Sequence, residues 1–263
     1  MGERVGYYGN SLGDHFGVGH IFLAGEAPGL FYGYVTQGVV QKEDITENGI
    51  KYIKQDGSVG YYQTVNKTIP VAGDVKYVDR NGDGVVDDND RDIIGNPNPD
   101  FTYGFQTKVS WKSLSLSASF NGVQGRDILN VGNRYNNTPG TKSNNVTRKA
   151  FQNMWTDENP SNLYPKSTFV VQNMVMDRYV EDGSYLRCSD ITLSYVLPAK
   201  WTNKIGIKNT SVYASVKNAF VITDYSGYDP EVNSFAFDGL RPGVDMNSYP
   251  TPRSFVFGLN LTF

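Results

Sequence analysis

The residues whose types and spacing most clearly suggest a chemical role lie in one acidic segment, DRNGDGVVDDND, at residues 79–90. Its spacing matches that of a calcium-binding loop, which places oxygen ligands at positions 1, 3, 5, 7, 9 and 12 and a glycine at position 6. Hard oxygen ligands at this spacing converge on one cation because the chain wraps around it. The segment therefore predicts a structural calcium site, whose ligands would be Asp79, Asn81, Asp83, the carbonyl of Val85, Asp87 and Asp90.

An acidic turn without a metal is the alternative interpretation of this segment. Asp90 stands where EF-hand loops carry a bidentate glutamate, and the sequence shows no clear helices on either side. The Asp and Asn side chains of such turns accept hydrogen bonds from nearby backbone N–H groups. The sequence leaves both interpretations open.

Neither the histidines nor the cysteine indicates catalysis, and the sequence contains no common catalytic motif. His15 and His20 lie in a glycine-rich stretch without a HExxH motif, and the chain has no GxSxG motif, phosphate-binding loop or GxGxxG motif. Cys188, the single cysteine, lies in a predicted strand beside Arg187, where a packed thiol is expected rather than a nucleophile. We therefore expect no enzymatic activity and no catalytic residues.

The long loops supply two further sets of candidates. Three carboxylates would suit a glycosidase pair if two of them converged, which the sequence does not indicate: Asp224, Asp229 and Glu231. Four aromatic side chains would suit a ligand such as a sugar ring, on which flat rings stack: Trp155, Tyr164, Tyr225 and Tyr228. Packing of the loops themselves is the alternative role for these rings.

Composition narrows the class of protein. Aromatic residues make up 13% of the 263 residues although the mean hydropathy is only −0.43, which is typical of many short strands joined by turns. A net charge of −3 gives no electrostatic footprint for nucleic acid. No apolar run is long enough for a transmembrane helix. The strands of a membrane barrel alternate apolar and polar residues, so the absence of such a run does not exclude them. The first residues lack the apolar core of a signal peptide, so either the chain is cytoplasmic or Met1 is not the natural start.

Five segments alternate apolar and polar side chains with the period of a β-strand, which turns successive side chains to opposite faces. In the last of them, every second residue is apolar: Phe255, Phe257, Leu259, Leu261 and Phe263. The same alternation recurs at 103–111, 114–120, 190–197 and 211–220. Each segment has roughly ten residues, the length of a tilted strand that crosses a bilayer.

The connections between these segments favour a membrane barrel over a soluble β-sandwich. They are very short at 112–113, very long at about 124–183, intermediate at about 198–208 and long at about 222–250. Short turns at one side and long loops at the other are typical of outer-membrane barrels. A compact soluble domain rarely carries a loop as long as 124–183.

The remaining chain is less regular. Short strands are predicted at 30–35, 51–54 and 60–65, with the QDGS sequence as a hairpin turn between the last two. One helix is predicted, at 146–155.

Six stretches together resemble the C-terminal quarter of SusC/RagA-type TonB-linked outer-membrane transporters, in that family's order and over nearly the whole chain. They are FYGYVTQGVVQ (31–41), GDVKYVDRNGDGVVDDNDRDIIGNPNPDFTYGF (73–105), NGVQGRDILN (121–130), DGSYLRCSDITLSYVLP (182–198), VYASVKNAFVITDYSGYDPEV (212–232) and the closing FGLNLTF.

The resemblance implies an all-β chain that supplies the C-terminal strands of a large antiparallel transmembrane barrel of 22 strands in the cell outer membrane. It implies import of a glycan or peptide nutrient, driven by an inner-membrane TonB complex. A SusD-like surface lipoprotein would be the partner that covers the barrel, and outer-membrane lipid would surround it. Phe263 matches the terminal aromatic residue by which the barrel-assembly machinery recognises its clients. The family supplies no catalytic residues.

The resemblance also implies that the chain is a fragment. The plug, the TonB-contacting region, the signal peptide and most strands are absent, and five to eight strands do not close a barrel of this kind. Residues 1–100 are expected to hold barrel strands and an extracellular region that includes 79–90. Residues 101–263 are expected to hold the last transmembrane strands and their long extracellular loops.

A secreted, calcium-dependent β-sandwich adhesin or carbohydrate-binding module is the alternative function. The alternating apolar face distinguishes the two, because it contacts lipid in a barrel and forms the core of a sandwich.

Overall fold

A computed structural model describes residues 4–8, 19–137, 145–167, 174–202, 207 and 209–262 of the chain. Strands dominate these residues, which confirms the all-β prediction. The strands before residue 100 are β1 (Arg4–Tyr8), β2 (His20–Leu23), β3 (Leu30–Tyr34), β4 (Thr36–Val39), β5 (Ile45–Thr46), β6 (Gly49–Ile53), β7 (Val59–Tyr62), β8 (Thr64–Val65), β9 (Val75–Tyr77), β10 (Val85–Val86) and β11 (Arg91–Gly95). Those after it are β12 (Phe101–Trp111), β13 (Leu114–Gln124), β14 (Asp127–Asn130), β15 (Val180–Asp182), β16 (Tyr185–Val196), β17 (Asn209–Thr223), β18 (Val244–Asp245) and β19 (Ser254–Thr262).

The helices of the described residues are short. They are α1 (Val131–Asn137), α2 (Arg148–Asn153) and α3 (Ala199–Thr202). The helix predicted at 146–155 is confirmed as α2, which begins after Thr147 because the Thr147 hydroxyl accepts a hydrogen bond from the Ala150 N–H. Among the described residues, no helix is long and apolar enough to cross a membrane.

The five strands predicted from alternation form one antiparallel sheet in the order β12–β13–β16–β17–β19. Each strand pairs with the next strand of the set along the chain, so the sheet is a meander. The strands have 11, 11, 12, 15 and 9 residues, which fits the expected membrane-crossing length. Within the described chain, the outer strands β12 and β19 each pair on one side only.

The register of the sheet places the predicted apolar residues on one face. One row across all five strands holds Val109, Leu116, Leu193, Ala214 and Phe257. The adjacent row, on the opposite face, holds Lys108, Ser117, Thr192, Ser215 and Val256. We refer to these as the apolar face and the polar face. The alternate residues Phe255, Phe257, Leu259 and Leu261 of β19 share the apolar face with Leu116 and Leu193. Phe263 lies outside the described residues.

The lengths of the connections differ between the two ends of the sheet. At one end, Lys112 and Ser113 join β12 to β13, and residues 197–208 join β16 to β17. At the other end, residues 125–184 and 224–253 make the long connections. Lys112 takes a left-handed backbone conformation, with φ of 54°, which is what a two-residue hairpin turn requires.

The chain divides into two compact units that are discontinuous in sequence. One unit consists of residues 1–98, 127–181 and 232–248, and the other of 99–126, 182–231 and 249–263. The second unit contains the five-stranded sheet.

The first unit contains small sheets around a core rich in tyrosine. The sheets are β1–β2–β3–β11, β5–β6–β7, β4–β9, β15–β14–β18 and the parallel pair β8–β10. The hairpin predicted around QDGS is confirmed as β6 and β7. Tyr52, Tyr62 and Tyr77 are almost fully buried in the core, which explains how a chain of low mean hydropathy fills its interior.

Candidate functional site

The apolar face of the five-stranded sheet remains exposed. Phe257 is 79% and Trp111 68% exposed, and Val109 and Phe255 are exposed to a similar degree. Phe105 stacks on Phe120 with their ring centroids 4.5 Å apart, so the rings pack along the face without being covered. A contiguous exposed surface of this kind marks a site of contact with lipid or protein. The exposure argues against the β-sandwich alternative, in which these side chains would form a core.

The polar face carries a hydrogen-bonded cluster across β16 and β17. The carboxylate of Asp190 accepts hydrogen bonds from the hydroxyls of Thr192 and Ser215, each at 2.8 Å. The Nζ atom of Lys217 lies 2.5 Å from the same carboxylate, and the Lys217 side chain is about half exposed. The two faces therefore differ in chemistry as the interior and exterior of a membrane barrel do.

A second cluster lies at the end of the sheet with the long connections, around Arg187 of β16. Nη2 of Arg187 lies 2.5 Å from Oδ1 of Asp229, and its Nε lies 3.2 Å from Oε1 of Glu231. Oε1 of Glu231 also accepts a hydrogen bond from the side-chain amide of Asn121, at 2.9 Å. The guanidinium of Arg126 donates to the carbonyl of Pro230. These bonds fasten the start of the 224–253 connection to the sheet.

Of the three carboxylates considered for a glycosidase pair, Asp229 and Glu231 converge, but on an arginine. Burial by itself raises the pKa of Asp229, but hydrogen bonds from Thr251 and Glu231 and the charge of Arg187 together hold it below the usual value. A general acid of a glycosidase needs a raised pKa instead. The sequence did not identify Arg126 and Asn121, which no catalytic or ligand motif marks.

The acidic segment 79–90 forms a turn whose inner carboxylates accept backbone hydrogen bonds. Asp79, which is buried, accepts from the N–H groups of Gly82 at 2.6 Å and Gly84 at 2.8 Å. Asp90, also buried, accepts from Arg80 and Asp87, each at 2.8 Å. Burial raises the pKa of Asp90, while these backbone hydrogen bonds act in the opposite direction.

The two other carboxylates predicted as calcium ligands, Asp83 and Asp87, also accept backbone hydrogen bonds. The N–H of Val85 donates to Asp83 at 2.9 Å, and the N–H of Asn89 donates to Asp87 at 2.8 Å. In the described part of the chain, no group of three or more His, Cys, Asp or Glu side chains has the geometry of a metal site. In this arrangement the Asp side chains accept hydrogen bonds from the backbone of their own turn, as in an acidic turn without a metal. Calcium binding stays a prediction.

The four aromatic candidates differ in exposure. Trp155, Tyr164 and Tyr225 are buried, and the indole N–H of Trp155 donates to the side chain of Gln41 at 3.0 Å. Tyr228 is 71% exposed. Of the four rings, Tyr228 is therefore the one whose surface is open to a ligand in this conformation.

Of the remaining candidates, His20 and Cys188 are buried within the fold, and the other two lie outside the described residues. His20 is buried, and its Nε2 donates to the carbonyl of Pro242 at 3.0 Å. Cys188 is fully buried on the strand, in keeping with a packed thiol. His15 and Phe263 lie outside the described residues.

The chain is similar to several receptors of known name. It is 34% identical over 248 residues to the TonB-dependent receptor P3 of Formosa agariphila, a match that covers 92% of this chain and 23% of the receptor. It is 35% identical to the TonB-dependent receptor P26 of the same organism, over 73% of this chain and 20% of the receptor. It is 34% identical to the TonB-dependent receptor SusC of Bacteroides thetaiotaomicron, over 71% of this chain and 17% of the receptor. No family model matches the chain.

Solved structures show the same fold. A structure of the RagAB peptide transporter superposes with a TM-score of 0.65 at 24% identity, over 98% of this chain and 24% of that one. The 'open-open' state of the RagAB peptide importer superposes with a TM-score of 0.64. The chain thus spans about a quarter or less of the length of the proteins that it matches.

Proposed function

Since this chain belongs to the SusC/RagA type of TonB-dependent receptor, we propose that it forms part of the barrel and outward loops of an outer-membrane importer of a glycan or peptide nutrient. One observation carries the proposal. The five-stranded sheet has an exposed apolar face and a hydrogen-bonded polar face, on strands of membrane-crossing length. In the proposed barrel the apolar face contacts lipid and the polar face lines the interior.

The edges of the sheet support a role within a longer receptor. In the described residues, β12 and β19 each leave one row of backbone N–H and C=O groups without a strand partner. In hydrocarbon each unsatisfied group costs several kcal/mol, so an open sheet is not stable in a bilayer. We propose that strands from the rest of the receptor pair with both edges and close the barrel.

The partners of the proposed receptor follow from its family. The relatives are named for dependence on TonB, and the solved RagAB structures are described as a peptide transporter and importer. We propose a SusD-like surface lipoprotein as the partner that covers the barrel, and the TonB complex as its energy source. Outer-membrane lipid and the barrel-assembly machinery, the latter through Phe263, complete the proposed set.

In this proposal, the direction of the strands determines which end of the sheet lies at the periplasm and which end lies outside the cell. If β19 ends at the periplasm, each preceding strand reverses direction, and β12 begins outside the cell. The long connections then lie outside, together with the acidic segment 79–90 that precedes β12.

Site-directed spin labelling along β13 of the full-length receptor in lipid tests the orientation. Labels at Leu114 and Leu116 should be accessible to oxygen, which partitions into lipid, and shielded from a water-soluble nickel chelate. Labels at Ser115 and Ser117 on the same strand are the matched controls and should show the opposite preference. Accessibilities that do not alternate with the period of two would contradict a bilayer-facing sheet.

Uptake distinguishes the two nutrient classes. A strain that lacks the receptor gene should lose growth on either a protein digest or an oligosaccharide mixture as the limiting nutrient, and the complemented strain should regain it. Unchanged growth on both nutrients would contradict the proposed import of a glycan or peptide.

A further inference from the structure

A β-bulge in β16 determines which face Arg187 occupies. Ser119 of β13 pairs with Asp190, but the next residue, Phe120, pairs with Cys188, so Ser189 is an extra residue on β16. In an unbroken strand Arg187 would share the apolar face with Ile191 and Leu193, because all three numbers are odd. The bulge reverses the alternation.

Arg187 consequently lies on the polar face. It pairs with Asn121, which alternates with Ser117 and Ser119 on the polar face of β13. The hydrogen bond from Asn121 to Glu231 places the Glu231 carboxylate on this face, at the end of the sheet with the long connections.

The segment Tyr225–Glu231, which we call the inward segment, is held at several atoms. Arg187, which is buried, donates a hydrogen bond from Nη2 to Asp229, and its Nε lies within ion-pair distance of Glu231. Asp229 binds the backbone N–H of Glu231 through Oδ1 and that of Thr251 through Oδ2, each at 3.0 Å. One carboxylate therefore connects the sheet, the start of the long connection and its end.

The inward segment, which Arg187 and Asp229 hold in place, exposes one aromatic ring to solvent. Tyr228 is 71% exposed, whereas Tyr225 is 5% and Asp229 7% exposed. An aromatic ring on a rigid support loses little conformational freedom when it binds a ligand, which makes it an efficient contact.

We propose that Arg187 is a positioning residue that holds the inward segment over the polar face, so that Tyr228 contacts cargo in the transport path. The cargo chemistry that fits is a flat or apolar face on a hydrophilic molecule, as a sugar ring or a peptide side chain provides. The inference rests on the proposed function, because the polar face lines a path only if the sheet is part of a barrel.

Spin labels on the full-length receptor in lipid test the inference and the proposed function separately. In a background with Cys188 replaced by Ser, a label at Phe257→Cys reports the lipid face and one at Tyr228→Cys reports the inward segment. We expect the label at 257 to be accessible to oxygen, and the label at 228 to be accessible to the nickel chelate and restricted in motion.

The substitution R187Q should release the inward segment, so that the label at 228 becomes mobile while the label at 257 is unchanged. Lys217→Gln is the matched control, since it breaks another ion pair on the polar face and should leave the label at 228 restricted. If R187Q prevents insertion, Asp229→Asn removes the same ion pair at nearly constant shape and should also mobilise the label.

Two kinds of result would overturn the inference. A label at 257 that is open to the nickel chelate would refute the proposed barrel and the inference with it. A lipid-facing label at 257, combined with a label at 228 that R187Q or Asp229→Asn does not mobilise, would refute the inference alone.

Uptake of a casein digest and of a maltooligosaccharide mixture tests the cargo contact. Tyr228→Ala should reduce uptake several-fold, and Tyr228→Phe, which keeps the ring, should restore it. Equal uptake by the parent and Tyr228→Ala with both mixtures would refute the contact.

Discussion

Leu116 of β13 lies directly opposite Leu193 of β16, and the two side chains are 46% and 45% exposed. A pair of large apolar side chains on neighbouring strands would normally be covered in a soluble protein. In the proposed barrel, lipid covers them.

A charge at this pair should therefore destabilise the receptor. Leu116 is the third residue of β13, close to the two-residue turn, so we expect Leu116→Lys to cost less folding free energy in lipid than the about 2–4 kcal/mol of a lysine at the bilayer midplane, but at least the about 0–1 kcal/mol of one near an interface. Ser117→Lys, one residue away on the polar face, should cost much less. Urea titrations of both variants in vesicles, followed by electrophoretic mobility of the folded form, measure the difference. Equal losses would contradict the assignment of the faces.

Glycine at position 122 should be required for close packing of β12 on β13. A Cβ atom there would overlap the ring of Tyr103 and lie 2.6 Å from the backbone oxygen of Tyr185. We expect Gly122→Ala to lower the folded yield in the membrane. Gly104→Ala is the control, because its Cβ would meet only the Phe120 carbonyl oxygen, at 3.5 Å. A folded yield as low for Gly104→Ala as for Gly122→Ala would indicate that the loss is not steric.

Calcium binding at residues 79–90 should be weak to moderate. Asp79 and Asp90 already accept backbone hydrogen bonds, so a bound cation would compete with these bonds for the carboxylate oxygens. Calorimetry on the full-length receptor should show a calcium heat that Asp83→Ala removes. Asp157→Ala, at an exposed carboxylate outside the segment, should retain the heat. Identical heats for the parent and Asp83→Ala would exclude the site.

The stability of the first unit should fall in acid because of His20. Burial lowers the pKa of His20 to about 4, so the folded state favours the neutral ring more than the unfolded chain does, where the pKa is 6.5. The stabilisation is present above pH 6.5 and is lost as pH falls to about 4, by about 3 kcal/mol in total.

Hydrogen exchange of β2 and β3 as a function of pH measures this loss. His20→Gln should flatten the profile between pH 6.5 and 4 while leaving the acid response of the five-stranded sheet unchanged. A profile that falls as steeply in His20→Gln as in the parent would assign the acid response to other groups.

The faces of the sheet were predictable from the sequence, but the cluster around Arg187 was not. A period of two fixes which residues of one strand share a face, and pairing then aligns Leu116 with Leu193. The bulge at Ser189 depends on how β16 meets β13, so local alternation does not reveal that Arg187 changes face. Packing of Trp155 within the loops was one of the two roles considered from the sequence, but its partner Gln41 was not predictable, because it lies 114 positions away.

The hydrogen bond from the Thr251 N–H to Asp229 joins two residues that are 22 positions apart, so the intervening chain leaves and returns at nearly the same point. Lengthening a closed loop is inexpensive, at about 0.6 kcal/mol for each doubling. Related receptors can therefore diverge in the length of this loop without altering the pairing of β17 with β19. Packing sets the limit, because Phe235 and Val244 within the loop are buried in the first unit's core. Evolutionary change in this region should accordingly concentrate between the buried positions, where exposed side chains such as Phe237 and Leu240 stand.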